Sequence, residues 1–179
     1  TPKPASPRAE AVKAMFLSVK TDRAPAEDEF FASLPFTITI REPVRITSAG
    51  TGIIAMTIGD MPQASQTYPW LVAEFGDAMQ AGDAMAAAQA RLKALDRVRT
   101  TYELTRRPEP FAGVEGVLIE GPVSASSKIA DFYPPKHMLQ YSAVKAGKSL
   151  RVLILVPEAD LAAHRPAIAA LIASMKFKP

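Results

Sequence analysis

The stretch FTITIR (36–41) alternates strictly, with Phe36, Ile38 and Ile40 facing one way and Thr37, Thr39 and Arg41 the other. A period of two marks a strand buried on one side, and Pro43 ends it or holds it at a sheet edge. Two further β-branched runs follow, VRITS (44–48) and IIAMTI (53–58), joined by Ala49-Gly50-Thr51-Gly52. From Pro69 the pattern changes to PWLVAEFGDAMQAGDAMAAAQARLKALD, rich in Ala, Met, Gln and Leu. Leu71, Phe75, Ala78, Gly82, Met85 and Leu92 recur at helical spacing and Pro69 suits a first turn, so one long helix is expected there.

RTTYELTR (99–106) alternates again, with Tyr102 and Leu104 on one face. RPEPFAG (107–113) reads as a turn, VEGVLIEG (114–121) as a strand and PVSASSKIADFYPPK (122–136) as a long loop. HMLQYSAVK (137–145) and LRVLILVP (150–157), joined by AGKS, predict a hairpin. Residues 152–156 are apolar on both faces, which places that strand centrally in its sheet. Pro157, Glu158 and Asp160 open a last helix, the acids favourable against its dipole. Leu161, Ile168, Leu171, Ile172 and Met175 form its buried stripe, and Pro166 is expected to kink or restart it. Lys176 and Lys178 lie past its end. Near the start, EAVKAMFLSVK (10–20) carries Val12, Phe16 and Val19 at i, i+4 and i+7, the pattern of a short amphipathic helix with a strand as the alternative, and TDRAPAEDE (21–29) reads as loop. The succession of elements predicts an α+β fold, an antiparallel sheet flanked by helices, and the βαβ rhythm of a doubly wound fold is missing.

The 179 residues are 48% apolar and 22% charged, enough apolar content for one ordinary globular domain. The opening TPKPASPRAE has prolines at 2, 4 and 7, so residues 1–9 read as a semi-rigid linker ahead of a single α+β domain over 10–179. Such a tether follows a cleavage site or a lipid-anchored residue, and with the chain beginning at Thr1 the expectation is export to a bacterial periplasm or cell envelope, with a membrane tether beyond Thr1. A cytoplasmic location is the alternative. The sequence holds no run of about 18 apolar residues, the least that a transmembrane helix needs. Net charge is +3, but the basic residues are scattered. Arg91, Lys93, Arg97 and Arg99, then Arg106-Arg107, then Lys176 and Lys178 make separate groups, which reads as solvated surface and not as a nucleic-acid stripe. With no cysteine, disulfides, thiol nucleophiles and thiolate metal sites are excluded.

Chemistry is sparse. Gly50-Thr51-Gly52-Ile53-Ile54-Ala55 has the spacing of a dinucleotide-binding turn, but β-formers follow it and Pro62 arrives too soon for a crossover helix. It is expected to be a β-turn, and no cofactor is assigned. Neither His137 nor His164 has a second ligand at metal-binding spacing. Glu74 and Asp77 share a helix face on the helical reading while Asp83 lies on another, too few carboxylates to cage a cation. His137 with Asp131 and Ser124, Ser126 or Ser127 would make a hydrolase set, although no Gly-x-Ser-x-Gly elbow is present. The most promising contact region is KIADFYPPKHMLQY, where Phe132, Tyr133, His137 and Tyr141 gather on a loop and the start of a strand, placed to meet a small ligand or a protein partner.

The ending YSAVKAGKSLRVLILVPEADLAAHRPAIAALIASMKFKP (141–179) sets a hairpin from Tyr141 to Val156 before a helix. The pattern Ile-x-x-Leu-Ile-x-Ser-x-x-Phe then runs through Ile168, Leu171, Ile172, Ser174 and Phe177. This ending resembles the close of the PsbP-like α/β/α sandwich family, and LPFTITIREP (34–43) is similar to its early strand. That family includes the photosystem II extrinsic P subunit, a Ran-binding nuclear import factor and bacterial periplasmic proteins or lipoproteins. It has no shared catalytic constellation, so the resemblance passes no residue role to this chain. It implies a small accessory or binding domain without enzymatic activity. The alternatives are a serine hydrolase using His137 and a secretion chaperone or interaction adaptor.

Overall fold

A computed structural model describes residues 29–60, 68–77, 83–93, 98–99, 104–125 and 135–179. Residues 35–179 form one compact unit, and residues 1–34 group separately. In the smaller unit, residues 29–33 make a helical turn in which the Ser33 hydroxyl donates to the Phe30 carbonyl at 2.7 Å. The linker expected over 1–9 and the helix expected over 10–20 lie outside the described residues.

The larger unit is built on an eight-stranded sheet whose pairs are all antiparallel. Strands β2 (Val44–Gly50), β3 (Ile53–Ile58) and β4 (Trp70–Asp77) lead to helix α1 (Ala84–Lys93). Then come β5 (Val98–Arg99), β6 (Thr105–Pro108), β7 (Gly116–Ala125), β8 (Lys136–Lys145) and β9 (Lys148–Pro157). A 3-10 turn (Glu158–Asp160) opens into α2 (Leu161–Ser174). The spatial order is β2-β3-β4-β9-β8-β7-β5, with β6 also paired to β7. Two short strands, β1 (Phe36–Thr37) and β10 (Lys176–Phe177), form a separate pair.

As its apolar run predicts, β9 lies in the middle of the sheet, buried on both faces. The β8–β9 turn has Ala146 at φ 48° and Gly147 at φ 74°, the two positive values that a two-residue hairpin matching the strand twist requires. The dinucleotide-like stretch is a hairpin too. Gly50 pairs with Ile53, and Gly52 takes φ 77° between them. The Gly52 carbonyl accepts the Phe75 N–H at 2.9 Å, so this turn is bonded into the neighbouring strand instead of opening a helix.

Four expectations are corrected. The long helix from Pro69 is a strand followed by a shorter helix. Trp70, Val72 and Phe75 are β-formers placed between two partner strands, and pairing on both sides overrides the helical spacing. The loop expected over 122–136 is a strand as far as Ala125, because β7 continues through Pro122 against β8. The strand expected over 36–41 keeps a ladder partner only at Phe36 and Thr37. Pro166 does not break α2, which runs unbroken from Leu161 to Ser174. The carbonyl that its missing N–H leaves free belongs to exposed Ala162.

Register fixes two faces. On one, Ile119, Met138 and Leu153 pack with Val117, Val123 and Ala88 of α1. On the other, a cross-strand row of Met56, Leu71, Ile154 and Leu139 is closed to solvent. Burying each of these side chains stabilises the fold by roughly 1.5–3 kcal/mol. The same row continues to Glu120 on β7, and Arg165 of α2 approaches Glu120 at 4.0 Å. Helix α2 therefore lies on the face opposite α1, and the architecture is an α/β/α sandwich.

Candidate functional site

The sheet face that carries α2 holds a polar edge. Its next cross-strand row runs Ile54, Ala73, Val152, Tyr141, Leu118 and Arg107. Apolar side chains fill it until the last strand, where Arg107 reaches Glu120 at 2.7 Å and Glu109 at 3.2 Å. Tyr141 is half-buried beside this pair of acids, with its ring 5.7 Å from that of Phe111. Burial, and then the Glu109 and Glu120 charges, push its phenol above the usual range, against the opposing pull of Arg107 and Arg165. Every charge here faces an opposite one, so the cluster ties β6, β7 and α2 together and leaves Tyr141 a neutral hydroxyl at neutral pH.

His137 shares that face of β8, opposite Pro122 and Val156. Its Nε2 is buried without a hydrogen-bond partner among the described residues. Phe132, Tyr133, Asp131, Ser126 and Ser127 lie outside the described residues, and of Ser124 only the backbone pairing with Arg99 on β5 is described. The structure thus brings His137 and Tyr141 onto one face, beside charges from β6, β7 and α2 that lie far away in sequence.

Glu74 and Asp77, expected on one helix face, sit on a strand and point to opposite faces. Glu74 pairs with Arg151 across β4 and β9, and Asp77 meets Lys148 at 2.5 Å. Asp83 caps α1, its carboxylate accepting the Ala86 N–H at 2.6 Å. His164 is half-buried on α2. No group of three His, Asp or Glu among the described residues is placed to hold a metal, and no described helix is long and apolar enough to cross a membrane.

A concave site lies where sequence reasoning did not look. Past Thr37 the chain runs alongside the C-terminal half of α2, its burial still alternating residue by residue. Ser174 fastens the two together, its hydroxyl oxygen accepting the Thr39 N–H at 3.1 Å while donating to the Leu171 carbonyl at 2.7 Å. Beyond that staple a groove of about 270 Å³ opens. Val44, Leu171 and three alanines (Ala167, Ala170, Ala173) give it an apolar lining, with Thr39, Arg41, Glu42 and Ser174 around them. Glu42 is engaged by Arg45 at 3.3 Å, and Arg45 also holds Asp60. The guanidinium of Arg41 has no acid among the described residues. The available signal was the exposed half of the 36–41 alternation, Thr39 and Arg41, which sequence reading treated as solvent face.

Solved structures share this architecture. The Ran-binding protein Mog1p of Saccharomyces cerevisiae matches with a TM-score of 0.55 at 9% identity, over 80% of this chain and 90% of Mog1p. LpqN of Mycobacterium tuberculosis, involved in cell envelope biogenesis, matches with a TM-score of 0.56 at 13% identity, over 80% and 83% of the two chains. The Pseudomonas aeruginosa protein PA94 matches at 0.53 and 13%, over 74% and 88%. No protein-family model and no curated protein matches the sequence. The chain has the Mog1/PsbP-like α+β fold, as the resemblance of its ending implied, and at such identities the likeness speaks for the fold alone.

Proposed function

We propose that this chain is a non-catalytic binding or accessory domain of an exported, envelope-associated protein. In this reading residues 10–179 form the domain behind the linker 1–9, and the partner or ligand seats in the groove between residues 39–44 and α2. The groove carries the proposal. Its alanine floor admits close approach, and Arg41 offers a cation that no described acid neutralises. Small recognition sites combine such an apolar lining with a few placed polar groups. The Tyr141 cluster is less suited to the task, since each of its charges already faces an opposite one. Two proteins of this fold carry compatible roles, Mog1p as a Ran-binding protein and LpqN in envelope biogenesis. A domain that acts by contact accommodates both.

The test is site-specific photocrosslinking in cells. A photoreactive residue at Ala170 or Ala167 is expected to give a discrete adduct that the same residue at exposed Ala162 does not. Filling the groove with Ala170→Trp should abolish the adduct formed from position 167. Identical adducts from 162 and 170, or none from either groove position, would overturn the groove as the seat.

A further inference from the structure

The segment 36–41 has the sequence of a strand but only part of the bonding of one. Its side chains keep the strand alternation to the end, with Phe36 buried, Ile38 and Ile40 half-buried, and Thr37, Thr39 and Arg41 exposed. Its ladder nevertheless stops at Thr37. Successive residues of an extended chain direct their amide groups to opposite edges. The edge shared by Pro35, Thr37 and Thr39 is occupied: the Pro35 carbonyl accepts the Lys178 N–H, the Thr37 hydroxyl donates to the Lys176 carbonyl, and Thr39 meets Ser174. The other edge is different. No hydrogen bond among the described residues engages the backbone of Ile38 or Ile40.

A half-buried extended segment with open amides is a template for another strand. Self-protection of such edges normally uses charge, proline or a bulge, and β2 does carry a bulge between Ile46 and Ser48. Residues 38–40 carry none of these. The first charge beyond them is Arg41, whose guanidinium has no acid among the described residues.

We infer that the edge of residues 38–40 takes an extended, acid-bearing peptide segment of a partner protein by strand addition. This inference rests on the binding-domain reading and names its mode. Main-chain bonds at Ile38 and Ile40 supply the affinity, and an Asp or Glu of the incoming strand pairs with Arg41.

The experiment uses the full chain, isotope-labelled. In the free protein the Ile38 and Ile40 amides should exchange with solvent as fast as loop amides; slow exchange would mean the edge is already taken and would sink the inference. A displayed random-peptide library is then selected on the wild-type chain, and the enriched peptides serve as probes. They should alternate apolar residues, carry an acid, and protect both amides. Ile40→Pro, which removes a donor, should weaken them about tenfold. Arg41→Glu leaves every backbone group in place and should weaken them about fivefold. Peptides that perturb Ala170 and Leu171 while leaving both amides fast would refute strand addition and leave the groove reading standing. Peptides that do neither, or a failure to enrich any, would count against both. Protection that appears only with rising protein concentration would assign the edge to a second copy and overturn the peptide.

Discussion

Gln140 presents a calculation whose sign can be checked. It is fully buried on β8, between Ile119 of β7 and Leu153 of β9, in the apolar layer beneath α1. Its Nε2 donates to the Ala88 carbonyl at 3.0 Å, and its Oε1 has no partner among the described residues. Replacing it with Met keeps the length and nearly the volume, so no cavity term enters. Losing one hydrogen bond costs about 0.5–1.5 kcal/mol, while removing an unsatisfied buried oxygen returns about 1–3 kcal/mol. The Ala88 carbonyl, inside α1, is also in place for the helix's own i to i+4 bond, so it is not left bare. Gln140→Met is therefore expected to stabilise the protein by about 1 kcal/mol, a rise of about 2–4 °C in Tm for a chain of this size. Gln140→Ala opens a cavity and should lose about 1–2 kcal/mol instead. Urea unfolding followed by circular dichroism measures both, read as midpoint changes at constant slope. A loss of 1 kcal/mol or more in Gln140→Met would show that the oxygen is engaged and that the reasoning about this site is wrong.

Gly52→Ala should cost about 1–2 kcal/mol, because φ 77° is unfavourable with a side chain and the new Cβ would lie 3.1 Å from the Phe75 carbonyl oxygen; an unchanged urea midpoint would contradict that. Gly116→Ala is expected to lose roughly 3 kcal/mol, since its Cβ would meet the Ser142 and Glu109 carbonyl oxygens at 2.8 and 2.9 Å. Gly50→Ala, which meets open space, should stay within about 0.5 kcal/mol, and equal losses at both positions would refute the packing argument. Tyr141→Phe tests the raised phenol. Below pH 10.0 the hydroxyl is protonated in folded and unfolded chains alike, and above that value the unfolded chain ionises first, so stability drains from the wild type as pH rises through the folded pKa. The stability difference between wild type and Tyr141→Phe should fall above about pH 10, and a difference that stays flat to pH 12 would remove burial and the two acids as the cause.

The elements legible in the sequence are those whose local pattern and partners agree. β9 is apolar on both faces and needs two neighbouring strands, and it has them. The β8–β9 hairpin was announced by a Gly in its turn, and the stripe of α2 by Ile168 and Leu171. Residues 70–77 were misread because their pattern fits both states. In WLVAEFGD, Leu71 and Phe75 are four apart and so share a helix face, yet four is also even, so they share a strand face as well. Only the pairing partners decide, and those lie at Ile53–Thr57 and Lys148–Leu155. No local signal in residues 70–77 carries that information.

The site was hidden for a related reason. Sequence reading looks for chemistry, and so selected the loop rich in aromatics near His137 and Tyr141. Of these, Tyr141 turned out to lie beside the Arg107–Glu109–Glu120 charges of β6, β7 and the residue that follows β6, an arrangement that no spacing along the chain predicts. The 36–41 alternation was read correctly as a strand face, but the inference that a strand face implies a strand partner was one step too many. Burial of Phe36, Ile38 and Ile40 needs only something apolar beneath them, whereas a ladder needs a second backbone at the edge. These are separate requirements, met by separate parts of a fold. Where the described residues satisfy the first and leave the second open, at Ile38 and Ile40, with an arginine next in line that no described acid neutralises, the missing backbone is best sought in another molecule.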